Sequence, residues 1–320
     1  MIFALRGLLV SLAFFATLYC PLSLLVALTW WSVHRFGRGS GLGASIAGSA
    51  NLLFGLRIFS FAVAMVVAVF FAFPSFWLME RAALDEDGET FALAACSVLI
   101  LGAGLFRVLR DRARTAKAIE HWSMRASKVE GVGSGEGEET PALDASSGAP
   151  ALILAGVLKP RVMVSDMAAT VLSDHELQVA VRHEIGHMRS WDNLKKVVIS
   201  ATPLPGMSSL ESAWREAAEL AADDAAVENR RDALDLAAAL IKLSRPATRW
   251  SEPALASGLV SGSSSIRLRV ERLLGWNMPG RRLQRSWPWS LLMLAVLVGI
   301  VCNYSATLAL THRLTEMLVP

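Results

Sequence analysis

Charge is scarce in this sequence. Only 18% of its 320 residues are Asp, Glu, Lys or Arg, while 53% are hydrophobic. A soluble domain carries about a quarter charged residues, and the mean hydropathy here is +0.44, so membrane spans come first into view. Cysteine is nearly lacking as well. Cys20, Cys96 and Cys302 fall in three different apolar runs and show no CxxC spacing, which argues against a disulfide framework and a cysteine metal site. The net charge of +3 comes from basic residues at the ends of apolar runs. They form no aromatic-interleaved patch, so direct binding of nucleic acid is not expected.

Four runs have the roughly 20 apolar residues that a bilayer requires: 8–31, 58–79, 90–109 and 286–311. The first holds Pro21, which a bundled helix tolerates as a kink. It is too long for a signal-peptide core, and no small-x-small cleavage site precedes His34 and Arg35, so it reads as a retained span. The third contains Arg107, which has to snorkel to the interface. The fourth opens with Trp287 and Trp289, residues favoured at the membrane boundary. Arg35, Arg38 and Arg57 flank the second run, a block from Arg110 to Lys128 follows the third, and Arg281, Arg282 and Arg285 precede the fourth. Residues 80–89 are acidic, with Arg81 alone opposing. Since Lys and Arg near span ends stay cytoplasmic, region 110–285 is expected inside and both termini outside.

Residues 1–110 thus read as three spans and 111–150 as a basic juxtamembrane segment followed by a tether. Residues 131–150 are rich in Gly, Ser and Glu and cannot bury enough surface to offset chain entropy. A soluble domain follows at 151–280, then the last span and a short external tail at 312–320. The domain begins with two short β-branched runs on either side of Lys159-Pro160, which predict a small hairpin or two edge strands. Helices are expected at 174–189, from Ser208 to about Asn229, at about 232–244 and at 265–275. Ser173 with Glu176, and Ser208 with Glu211, have the spacing of capping boxes. The apolar stretch 197–204 is too short to span and is expected as core or as a membrane contact.

Chemistry concentrates in His183-Glu184-Ile185-Gly186-His187, inside the first capped helix. Histidines at i and i+4 share a helical face and can reach one Zn²⁺. Glu184 between them is placed to take a proton from a zinc-activated water. A third ligand is needed, and the next helix offers Glu219, with Asp223 one turn on to hydrogen-bond a ligand histidine. Glu216 competes on nearly the same face, and Asp224 is rotated away. His34, His121 and His312 lie at span edges, and His175 in the first helical turn is expected to be exposed. Arg182, Arg189, Arg230 and Arg231 are candidates for oxyanion stabilisation, and spacing does not choose among them.

HEIGH, followed by WDN and then ELAAD, resembles the BlaR/MecR-type antirepressor family of integral-membrane zinc peptidases. It is similar, more distantly, to the HtpX and CAAX-prenyl proteases, which share an HExxH…ExxxD plan. PRVMVS before the motif helix and RLRVERLLG before the last span extend the likeness over about residues 150–278. The resemblance implies a mainly α fold: four transmembrane helices and a helical zincin-type, gluzincin-like peptidase domain with a small β-hairpin. It implies Zn²⁺ on His183, His187 and Glu219, with Glu184 as base and Asp223 in support.

The implied activity is a regulatory endopeptidase in a bacterial cytoplasmic membrane, its domain facing the cytoplasm. Its substrate would be a cytosolic repressor or a membrane-proximal protein. The antibiotic-sensing members carry a penicillin-binding domain beyond the last span, whereas this sequence ends at Pro320, so a separate sensor protein is the expected partner beside the bilayer. Alternatives are membrane-protein quality control and a non-catalytic zinc-binding transducer. A zinc transporter is disfavoured because the ligands lie outside the spans.

Overall fold

The computed structural model describes residues 2–36, 46–79, 88–123, 143–145, 152–157, 160–203, 206–244, 256–258, 263–276 and 304–318. Three stretches in it are long and apolar enough to cross a membrane: Phe3–Ser32, Ala50–Leu78 and Gly88–Glu120. They are formed by α1 (Ile2–Phe36), by α2 (Ile46–Val67) continuing through a π-helical segment (Ala68–Ala72) into α3 (Phe73–Met79), and by α4 (Gly88–Ser123). Leu99, Leu105 and Phe106 stay exposed on α4, as do Leu24, Leu25 and Leu28 on α1. Such apolar faces suit lipid rather than water. Inside the bundle, Phe15 and Tyr19 of α1 pack edge-on against Phe61 of α2, and Ser97 of α4 hydrogen-bonds the Leu12 carbonyl of α1.

These helices outrun the apolar stretches read from the sequence. α4 has 36 residues, about 54 Å at 1.5 Å per residue, against a hydrocarbon core about 30 Å thick. Its basic second half, read from sequence as a juxtamembrane segment, is a continuous helical extension. Ala118 and Ile119 on it pack against Ile153 and Met163 of the soluble domain. Arg57 also differs from expectation. Read as an edge residue of the second span, it lies inside α2 and is buried. A guanidinium there requires partners, and it donates to Glu211, to Thr202 Oγ1 and to the Thr202 carbonyl. Of the fourth apolar run, 286–303 lies outside the described residues. The remainder of that run begins a helix, α11 (Tyr304–Leu318), which continues through 312–318, where a tail was expected.

The part of the chain that follows α4 is built on a sheet ordered β1-β3-β2-β4. β2 (Leu152–Ala155) and β3 (Arg161–Ser165) form the expected antiparallel pair, with Leu154 opposite Val162. β1 (Leu143–Ala145) runs parallel to β3, and β4 (Ala256–Gly258) adds to β2. The sequence reading missed both added strands, and β1 falls within the stretch read as a tether; the rest of 131–150 lies outside the described residues. Each is three residues long and poor in β-branched side chains, so backbone pairing rather than propensity recruits it. Alternation fixes the sheet's two faces: Leu152, Leu154, Val162 and Val164 enter the main core, and Ile153 and Met163 turn to α4.

Five helices line the core side: α5 (Asp166–Val171), α6 (Asp174–Arg189), α8 (Ser208–Ala226), α9 (Arg230–Ser244) and α10 (Ser263–Leu274), with α7 (Asp192–Ala201) beside α4. α6 begins as read, with both halves of the Ser173–Glu176 capping box present. The second expected box does not form. Met207 caps α8 without a side-chain bond, which puts Ser208 inside the helix, and Glu211 accepts from Arg57 instead. The stretch 197–204 lies largely in α7, whose end docks so closely on α4 that a Cβ at Gly104 would stand 2.1 Å from the Ala201 carbonyl oxygen.

The capping box gives a first test. Lys242 of α9 also donates to Glu176, at 2.7 Å. Burial disfavours the Glu176 carboxylate, but Lys242 and the Ser173 amide outweigh it and hold its pKa below the usual range. A carboxylate depressed by folding stabilises above its unfolded pKa, and that stability is lost as pH falls through the folded value. Ser173→Ala is expected to cost about 1 kcal/mol. Glu176→Gln is expected to flatten the acid limb of stability against pH, measured by thermal unfolding in detergent.

Candidate metal centre

The capping box starts α6 in a register that turns His183, Glu184 and His187 inward, and all three are buried. Gly186, between the two histidines, lets α8 come close: a Cβ there would stand 3.3 Å from the Ala222 Cα. That approach brings Glu219, 12% exposed, over the imidazoles. His183 Nε2 and His187 Nε2 are 3.2 Å apart. Glu219 Oε2 lies 3.6 Å from the first and Oε1 3.5 Å from the second. The three residues form a group that could hold a metal ion. Glu216, the rival ligand, is exposed on α8 and does not belong to the group.

The donor set fits a tetrahedral ion. Ligand bonds of about 2.0–2.1 Å at tetrahedral angles place neighbouring donor atoms about 3.3 Å apart, close to the 3.2 Å between the two imidazole nitrogens, and Glu219 offers one oxygen to each imidazole. Each histidine is also oriented from behind. Asp223 Oδ1 lies 3.0 Å from His183 Nδ1. Asp192 Oδ2 lies 2.7 Å from His187 Nδ1. Carboxylates at Nδ1 leave Nε2 for the metal.

Asp192, and beyond it Arg269, differ from expectation in belonging to this group. Asp192 reaches back to His187 because Trp191 between α6 and α7 adopts a left-handed conformation, φ 57°. Its only sequence signal was the WDN string. Arg269 of α10 is 1% exposed and donates to both oxygens of Asp223 and to Glu219 Oε2 at 2.9 Å. Its signal was RLRVERLLG, whose first arginine, Arg267, is by contrast exposed and pairs with Glu271. The four arginines proposed for oxyanion stabilisation lie elsewhere: Arg182 is tied to Asp232 and Glu228, and Arg189, Arg230 and Arg231 are exposed. His175, its side chain 39% exposed, stands 2.8 Å from Asp235 Oδ2 and outside the metal group.

The charges favour a dication. Glu184, Asp192, Glu219 and Asp223 supply four negative charges, and Lys195 and Arg269 supply two positive ones. With neutral imidazoles, the balance of two charges is that of one divalent ion. The surplus shows on the histidines. Burial lowers the His187 pKa, but Glu219 and Asp192 outweigh it and push it up to about 10. His183 is raised too, burial being outweighed by Asp223 and Glu219. Glu219 is held well below the carboxylate range, burial being overcome by both histidines and Arg269. A largely apolar cavity of about 190 Å³ adjoins His187, lined by Leu154, Gly156, Pro160, Trp191 and Leu194.

Removing Arg269 strands two buried carboxylates. Arg269→Ala is therefore expected to cost about 3–5 kcal/mol of stability, read by denaturant unfolding. Asp223→Ala is expected to weaken metal binding about 10–100-fold, and Glu216→Ala to leave it unchanged. Competition against a chromophoric chelator measures both.

No match to the chain was found among curated proteins. The BlaR1 peptidase M56 family matches residues 93–273, from the third span to the end of α10. That stretch includes the metal group and the carboxylates and guanidinium that orient it. By that match and by the three apolar helices among its described residues, the chain is a membrane protein that belongs to the BlaR1 peptidase M56 family, metallopeptidase-type hydrolases.

Proposed function

We propose that the chain is a zinc-dependent endopeptidase of a bacterial cytoplasmic membrane that cleaves a cytosolic repressor or a membrane-proximal protein. The observation that carries the reading is the packing of His183, His187 and Glu219 around one point, with Glu184 buried in the same turn of α6. Two imidazoles and one carboxylate, with a fourth position open, is a donor set of catalytic zinc sites. Zinc supplies Lewis acidity, polarising a carbonyl and acidifying water. Glu184 takes the proton of the attacking water and passes it to the nitrogen of the departing amine as the C–N bond breaks. Asp192 and Asp223 hold the imidazoles in the tautomer that presents Nε2. The cavity beside His187 suits an apolar side chain of the peptide.

The basic residues of α4 beyond the apolar stretch support a peptidase domain on the cytoplasmic side, with both termini outside. Regulation by a separate sensor protein fits a catalytic domain in which α8, the helix that carries Glu219, is packed on the second span.

Glu184→Gln and Glu184→Ala test the chemistry. Bound zinc, read by elemental analysis, is expected to match the wild type, while proteolysis falls by about 100-fold or more. One or a few intact substrates then accumulate among cytosolic and membrane proteins, and chelation of the wild type reproduces the effect. Identical proteomes would overturn the peptidase in favour of a zinc-binding transducer. Broad accumulation of misfolded membrane proteins would replace the regulatory substrate by quality control.

A further inference from the structure

The metal group is hydrogen-bonded to a membrane helix through Asp192 and through a lysine that the hydrolysis does not use. Lys195, in the first turn of α7, is 15% exposed. Its Nζ donates to Asn51 Oδ1 of α2 at 2.9 Å and to Asp192 Oδ1 at 3.4 Å. The ring of Phe54, also on α2, lies 5.8 Å from the same ammonium. Asp192 turns its other oxygen, Oδ2, to His187 Nδ1 at 2.7 Å. A single buried carboxylate therefore joins a side chain fixed on α2 to a side chain of the metal group.

We propose that Lys195 is a positioning residue that ties His187 to α2, so that a displacement of α2 in the membrane changes the metal centre. The proposal rests on the metal-centre reading above and adds the element that sets the centre's geometry. A buried carboxylate needs a counter-charge and fixed donors to hold one orientation. Lys195 supplies both to Asp192, and α2 in turn fixes Lys195.

The rest of α2 makes the linkage stiff. Arg57, two turns from Asn51, bonds the carbonyl of Thr202 at the far end of α7. It also pairs with Glu211 in the first turn of α8, the helix that carries Glu219. Phe54, between them, meets the ring of Trp214 on α8. One face of α2 thus holds α7 at both ends and α8 at its start. It cannot shift without moving Lys195, or else breaking Lys195 from Asn51 or from Asp192.

The test uses the full chain in nanodiscs, loaded with Co²⁺. Affinity is read by chelator competition and ligand geometry by the cobalt visible absorption. Lys195→Met is expected to weaken Co²⁺ binding about 10-fold and to shift the spectrum, and Lys195→Arg to restore both. Asn51→Leu, which alters no residue of the metal group, is expected to shift the spectrum in the same sense and weaken binding roughly threefold. Should Lys195→Met fail to fold, Asn51→Leu decides alone. Leu52→Ala, at an exposed position of α2, is the control and should change neither. Wild-type affinity and spectrum in Asn51→Leu, with Asp192→Asn still weakened, overturn the linkage and leave the metal centre standing. Wild-type binding in His187→Ala and Asp192→Asn overturns the centre itself.

Discussion

The soluble half of this protein depends on one buried guanidinium. α10 packs on α9, and from it Arg269 reaches α8 by taking both oxygens of Asp223 and one of Glu219. Taking such a charge out of water costs several kcal/mol unless each donor finds a partner, and three carboxylate bonds meet that demand. Next to it Arg272 pairs with Asp224, while Leu273 and Trp276 of the same segment enter the main core. The contact that closes the domain is therefore also the contact that aims Glu219. Packing and site geometry share one set of bonds.

Two cations support the centre from opposite sides. Arg269 acts through Asp223 on His183, and Lys195 through Asp192 on His187. Each imidazole has its own carboxylate and each carboxylate its own cation. One cation belongs to the closing helix and the other leans on the membrane bundle. The two histidines stand on one helix, yet their surroundings come from separate parts of the chain.

How much the sequence disclosed depends on the range of the interactions. α6 was legible to its end residues because a capping box and an i, i+4 histidine pair are local patterns. Glu219 could be paired with Asp223 by spacing, but only burial separates it from Glu216. Asp192 stands five residues from His187 and still escaped, because a non-glycine left-handed residue, Trp191, bends the chain back. Arg269 reaches across 46 and 50 residues to Asp223 and Glu219, and no periodicity signals a pairing at that distance. Arg57 was read as an interfacial charge because its acceptors lie about 150 residues away in α7 and α8. β1 and β4 were illegible for a different reason: they are strands only because an edge was available.

The reach of Arg269 has a consequence in time. Glu219 and Arg269 are 50 residues apart, so at about 5–20 residues per second a ribosome needs roughly 3 to 10 s to pass from one to the other. For most of that interval the first three spans, α6 and α8 have already been made, while the carboxylates of Glu219 and Asp223 still lack their guanidinium. A nascent chain is therefore held short of its finished centre by the order of synthesis alone. The delay is written into the distance between two residues.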